Sequence, residues 1–149
     1  KTPMITSRET PFEIGKANVL FRSDAPQITI FATGPLLYNA LLAARELEGQ
    51  GIGATVVDVH TIKPIDVDAI TRESSAAGAV VTVEEHQIAG GLGSAVAEVL
   101  AQHSPLPIEF IGVRDQFGQS GTPQELIEHY GMNPAHIIEA AKKVIARKQ

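Results

Sequence analysis

Strand-like and helix-like runs alternate along this chain from Ile28 to its end, and that alternation is what most limits the folds open to it. Repeated strand–helix–strand units build a mainly parallel sheet with helices on both faces. Ile28-Thr29-Ile30-Phe31-Ala32 is short, β-branched and closed by Gly34-Pro35, the pattern of a buried strand. From Pro35 to Glu48, Leu37, Leu41, Ala44 and Leu47 recur at helical spacing, and Gly49 and Gly51 mark the exit. Ala54 to Val59 reads as a second strand, and Asp66 as the cap of a helix that runs to about Ala77 and stops at Gly78. Ala79 to Val83 is nearly all apolar, as a strand covered on both faces must be. A glycine-rich loop then enters a helix over Ser94–Gln102, with Ala95, Val96, Val99 and Leu100 facing inward, and Ile108 to Val113 gives a fourth strand.

The last third carries the clearest punctuation. Thr122 and Glu125 have the spacing of a capping box, Pro123 suits the first helical position, and Gly131 stops that helix. Asn133-Pro134 starts another, with Ile137, Ile138, Ala141, Val144 and Ile145 as its apolar stripe. Lys142, Lys143, Arg147 and Lys148 read as a solvated face near its C-terminal end, where the helix dipole favours positive charge. Ala17 to Phe21 adds an edge strand, readable as antiparallel.

Composition narrows the function classes. The chain's 149 residues suit one core. It has no cysteine, which excludes disulfides and thiolate metal sites and makes a reducing cytoplasm the simplest setting. A net charge of −5, with no basic tract and no aromatic platform, argues against nucleic acid or an anionic membrane as partner. An opening on Lys1-Thr2-Pro3, without a signal-peptide pattern, reads as the cut end of something longer.

In an open α/β sheet, ligands lie beyond the carboxyl ends of the strands. Four segments fall there: Thr33-Gly34-Pro35, His60-Thr61-Ile62-Lys63-Pro64, Glu84-Glu85-His86 and Arg114-Asp115-Gln116. Glu84, Glu85 and His86 offer acid–base or metal-ligand chemistry, but no metal-binding histidine spacing accompanies them. The plainer reading has them bonding the following glycine loop or a neighbouring subunit. Gly90-Gly91-Leu92-Gly93-Ser94 precedes a helix and looks like a phosphate cradle. It fits the dinucleotide fingerprint poorly, because His86 to Ala89 separate it from the strand and Val96 stands at the sixth position. Room for close helix–sheet or chain–chain approach explains those glycines better. Ser120 lacks the strand-and-elbow context of a nucleophile.

Longer stretches carry a resemblance. Phe31-Ala32-Thr33-Gly34-Pro35, Val59 to Asp66, Val83 to Val96 and Phe117 to Leu126 with Tyr130-Gly131 together resemble, in order, the C-terminal domain of transketolases. Deoxyxylulose-phosphate synthases and the β subunits of 2-oxoacid dehydrogenases share parts of the pattern. Glu84-Glu85-His86 and Ser120-Gly121-Thr122-Pro123 favour the transketolase side.

The resemblance implies a three-layer α/β/α domain over residues 17–149 with a five-stranded mixed sheet, mostly parallel, its first strand antiparallel. Residues 1–16 are then a linker from a preceding domain. It also implies a parent enzyme that moves two-carbon ketol units between sugar phosphates with thiamine diphosphate and Mg2+. Those groups are expected in other domains or a partner subunit, since this chain shows neither cofactor motif. The chain alone is thus expected to be inactive, an assembly domain of a homodimer. Ser7-Arg8-Glu9-Thr10-Pro11 resembles the segment that brings an arginine to the substrate phosphate, which makes Arg8 the candidate substrate-binding residue. Glu84, Glu85, His86, Gly90, Gly91 and Gly93 are expected to form the assembly interface. A free-standing anion-binding regulatory module at the glycine loop is the rival from another class.

Overall fold

The computed structural model describes residues 3–148; Lys1 and Thr2 of the expected linker, and Gln149, lie outside the described residues. Five strands form one sheet: β1 (Asn18–Arg22), β2 (Ile28–Ala32), β3 (Ala54–Asp58), β4 (Val80–Gln87) and β5 (Ile108–Val113), in the order β1-β3-β2-β4-β5. β1 runs antiparallel to β3 at the edge and the remaining pairs are parallel, the mixed sheet expected from the sequence. Three helices connect strands, α1 (Leu37–Gly49), α2 (Val67–Ala77) and α3 (Leu92–His103), and two follow β5, α4 (Pro123–His129) and α5 (Pro134–Ile145).

Strand pleating sorts the apolar residues into two cores, because successive side chains leave opposite faces of a sheet. Ile28, Ile30, Val56, Val81 and Val83 pack with α1 and α5 on one face; Phe31, Val57, Val59 and Val80 pack with α2 and α3 on the other. Each fully buried side chain of this size contributes about 1.5–3 kcal/mol. Inward-facing residues of α1 are Leu37, Ala40, Ala43, Ala44 and Leu47, with Leu41 only half-buried. The small residues let α1 lie close to the sheet and α5.

Three sequence expectations shift. A single 3-10 turn over Gly34–Leu36 precedes α1, so the helix itself begins at Leu37. β4 does not end at Val83. It continues through Glu84-Glu85-His86 to Gln87, which pairs with Val113 after a register irregularity. The basic residues of α5 are also more than a solvated face. Lys143 and Arg147 hold the mostly buried Glu109 carboxylate of β5 at 2.9 and 2.6 Å, and Lys148 donates to the Ala77 carbonyl at the end of α2. Burial lowers the Lys148 pKa.

Asp66 caps α2 as its sequence position implies, accepting from Ala69 N–H at 3.0 Å, and its second oxygen accepts from Ala17 N–H at 3.0 Å. One carboxylate therefore ties the helix start to the approach of β1. Burial alone would raise this carboxyl, but the two N–H donors, with Lys16 and Arg72, hold it below its ordinary value. Its contribution is present above the ordinary carboxylate pKa and fades as pH falls through the lowered one. Asp66→Ala should cost about 1–2 kcal/mol at neutral pH. Thermal melts should show the gap between the two proteins closing on acidification; a gap that ignores pH would show that the charge contributes nothing.

Candidate functional site

From β2 the chain moves to β3 on one side, then crosses back past β2 to β4 on the other. The carboxyl ends of β2 and β4 therefore flank the point where the winding reverses, where open α/β sheets leave a crevice. A concavity of about 330 Å³ lies there, lined by Thr33-Gly34-Pro35, Ile62, Glu84-Glu85-His86, Gly90 and Gly91. Three of the four segments singled out by sequence meet in it. The fourth does not: Arg114 and Asp115 border Gln87-Ile88-Ala89 beyond β5, with Asp115 N–H donating to Gln87 at 2.9 Å.

Glu84 is 1 % exposed, and its environment explains how a charged residue can sit there. Its two oxygens accept from the N–H groups of Leu92 and Gly93, both at 2.8 Å, so a carboxylate closes the N-terminus of α3. Negative charge is favoured at that end of a helix. The same bonds start α3 at Leu92, two residues before the Ser94 expected from sequence. Glu85 and His86 are exposed. The His86 ring lies 3.8 Å from the Glu84 carboxylate, and its Nδ1 lies 2.8 Å from the Gln87 carbonyl.

The glycines are explained from inside the chain. A Cβ on Gly91 would lie 2.0 Å from Glu84 Oε2, and one on Gly93 would lie 2.6 Å from the Phe110 ring. The close helix–sheet approach read from Gly91 and Gly93 is therefore met within the chain, by β4 and β5. Gly90, with φ +85°, faces open space and donates its N–H to Ser94 Oγ at 2.8 Å. The N–H groups that a phosphate would use already hold Glu84, which removes the seat of an anion-binding module.

The polar N-terminal segment crosses the same end of the sheet. Phe12 stacks on His60 with ring centroids 4.5 Å apart, and Gly15 N–H donates to Thr61 Oγ1 at 3.2 Å. Sequence reading named His60 and Thr61 but passed over Phe12, whose signal was being the one aromatic residue in the sequence before β1. Burial pushes the nearby Asp58 carboxyl up, and His60 opposes that shift.

Arg8 sits apart from the crevice residues named above, on a tight turn over Ser7–Thr10. Thr10 N–H donates to the Ser7 carbonyl at 3.2 Å, and Ser7 N–H to Thr10 Oγ1 at 3.0 Å. The arginine is exposed, and among the described residues its guanidinium makes no hydrogen bond or ion pair. The adjacent Glu9 carboxylate instead accepts from the Ser7 hydroxyl at 2.7 Å, which holds its pKa below the ordinary value. Among the described residues, no group of three or more His, Cys, Asp or Glu is placed to hold a metal ion, and no helix is long and apolar enough to cross a membrane.

Comparison with known proteins gives one consistent match. The family described as "Transketolase, C-terminal domain" matches residues 15–137. The 6-deoxy-6-sulfo-D-fructose transketolase subunit SqwH of a Clostridium species is 46% identical over 97% of this chain and 44% of its own length. An apulose-4-phosphate transketolase subunit of Phocaeicola vulgatus is 38% identical over 91% of this chain and 43% of its own. A solved structure described as a split gene transketolase, inactive beta4 tetramer, superposes with a TM-score of 0.94 at 43% identity, over 99% of this chain and 48% of that one. The chain therefore spans less than half the length of each of these relatives.

Proposed function

Because the chain belongs to the transketolase C-terminal domain family, we propose that it is the C-terminal portion of an enzyme that transfers two-carbon ketol units between sugar phosphates or related anionic sugars. The observation that carries this reading is the match of nearly the whole chain, at a TM-score of 0.94, to less than half of a split-gene transketolase chain. On this reading residues 1–16 connect to a preceding domain, and a further subunit or further domains complete the enzyme, in a reducing cytoplasm.

Thiamine diphosphate would supply the carbanion chemistry of the transfer, with Mg2+ on its diphosphate, and both belong to those other parts. The residues present here do not fit the group, since the helix start best suited to a phosphate is filled by Glu84. This chain's own contribution is to assembly and to the substrate anion. Glu85, His86 and Gly90 stand exposed at the carboxyl end of the sheet, where a second copy would meet it in a homodimer, while Glu84, Gly91 and Gly93 shape that surface from within.

Arg8 is the residue for the anion. The names of two relatives carry a sulfonated and a phosphorylated sugar, so the shared feature of the substrate class is an anionic group on the sugar. An unpaired guanidinium on a fixed turn suits such a group, because its fork of donors matches phosphate or sulfonate oxygens.

The direct test is reconstitution. The purified chain should show no ketol transfer and no micromolar binding of thiamine diphosphate by calorimetry, and the missing domains or subunit should restore both. Micromolar cofactor binding by the chain alone would overturn the assignment.

A further inference from the structure

We infer that Ser7 is a positioning residue for substrate-anion recognition: it holds the Glu9 carboxylate and so keeps the neighbouring Arg8 guanidinium unpaired. The inference rests on the reading of Arg8 given above and adds what makes that arginine available. Adjacent opposite charges on an exposed turn have an obvious alternative, which is to pair with each other. Here three short-range bonds favour the unpaired arrangement instead. The Ser7 hydroxyl donates to Glu9 Oε2 at 2.7 Å, and Ser7 Oγ accepts from Glu9 N–H at 3.2 Å. Ser7 N–H, held by Thr10 Oγ1 at 3.0 Å, fixes the serine on which both depend.

The lowered pKa of Glu9, with the Ser7 hydroxyl as its largest cause, agrees with a carboxylate whose charged form that bond favours. A free carboxylate on this turn would compete with the substrate for the guanidinium and repel the incoming anion. Ser7 thus acts on Glu9, and through Glu9 on Arg8, without touching substrate.

The experiment is a set of variants in the complete enzyme, assayed with a ketose phosphate, with an unphosphorylated ketol donor, and with inorganic phosphate as inhibitor. Ser7→Ala should raise KM for the ketose phosphate and weaken phosphate inhibition roughly two- to fivefold, the scale of one exposed ion pair, with kcat unchanged. The unphosphorylated donor should be unaffected. Removing the freed charge in Ser7→Ala/Glu9→Gln should restore both constants, and Ser7→Thr should keep them. A merely structural serine would not be rescued by Glu9→Gln, so absence of rescue overturns the inference. If Arg8→Ala gives its donor-selective loss while Ser7→Ala gives none, Ser7 has no positioning role and Arg8 keeps its own. If Arg8→Ala shows no donor selectivity, the reading beneath both falls.

Discussion

Gly91→Ala is expected to destabilise the chain by about 3 kcal/mol, which for a domain of this size lowers Tm by roughly 6–12 °C. The added Cβ would lie 2.0 Å from Glu84 Oε2, a distance no pair of atoms tolerates. The carboxylate is not free to swing aside, since both of its oxygens are bonded and the side chain is buried. To admit the methyl group, Glu84 must release Leu92 N–H, Gly93 N–H or both, leaving buried donors unsatisfied. Glu84→Ala should cost a similar amount by removing the acceptor directly. Because both changes break the same cap, the double variant should be little worse than Glu84→Ala alone, with a coupling energy of at least about 1 kcal/mol. Thermal unfolding of the four proteins measures this. Full stability of Gly91→Ala, together with loss of subunit association, would mean instead that Gly91 meets another chain.

That case shows where the sequence is legible and where it is not. Features fixed by near neighbours could be read directly. Thr122 and Glu125 do form a capping box, with Thr122 N–H on Glu125 Oε2 at 2.8 Å, and Asn133 caps α5. The parallel sheet with its antiparallel edge followed from strand–helix alternation, the family resemblance adding the direction of β1. For Glu84 the plainer reading, bonds to the following glycine loop, is what the structure shows; which N–H groups it takes, 8 and 9 residues onward, and that they open α3, no local pattern dictates. Glu109 gave no such clue, since its cations come from α5 and the turn just beyond it, 34 and 38 residues later. Hydrophobic periodicity announces which face is buried but not which charges cross between elements. The glycines stood out for the right reason, lack of a side chain at a close approach. What approaches is a carboxylate and a ring of the same chain, which only the folded arrangement reveals. At Arg8 the resemblance supplied the role, whereas the Ser7–Glu9 bonds that leave the guanidinium unpaired emerged from the geometry.

Arg8→Ala in the complete enzyme is expected to lower kcat/KM for a ketose phosphate roughly ten- to hundredfold, the loss of one charge-assisted contact of about 1.5–3 kcal/mol. The anion is remote from the carbons being transferred, so the arginine binds ground state and transition state alike, and the loss should fall on KM. An unphosphorylated donor has nothing for the guanidinium to hold and should lose little. Arg8→Lys should fall between, keeping the charge but not the two-pronged donor geometry that matches phosphate or sulfonate oxygens. The guanidinium is exposed in this chain, so part of its attraction is screened, and the native enzyme's preference for the phosphorylated donor should shrink as salt rises. Steady-state kinetics with both donors at two ionic strengths separates these effects. Equal losses for both donors would mean that Arg8 supports the fold or the assembly rather than the anion. Among the described residues the guanidinium has no protein partner, so within this chain it has little structure to lose.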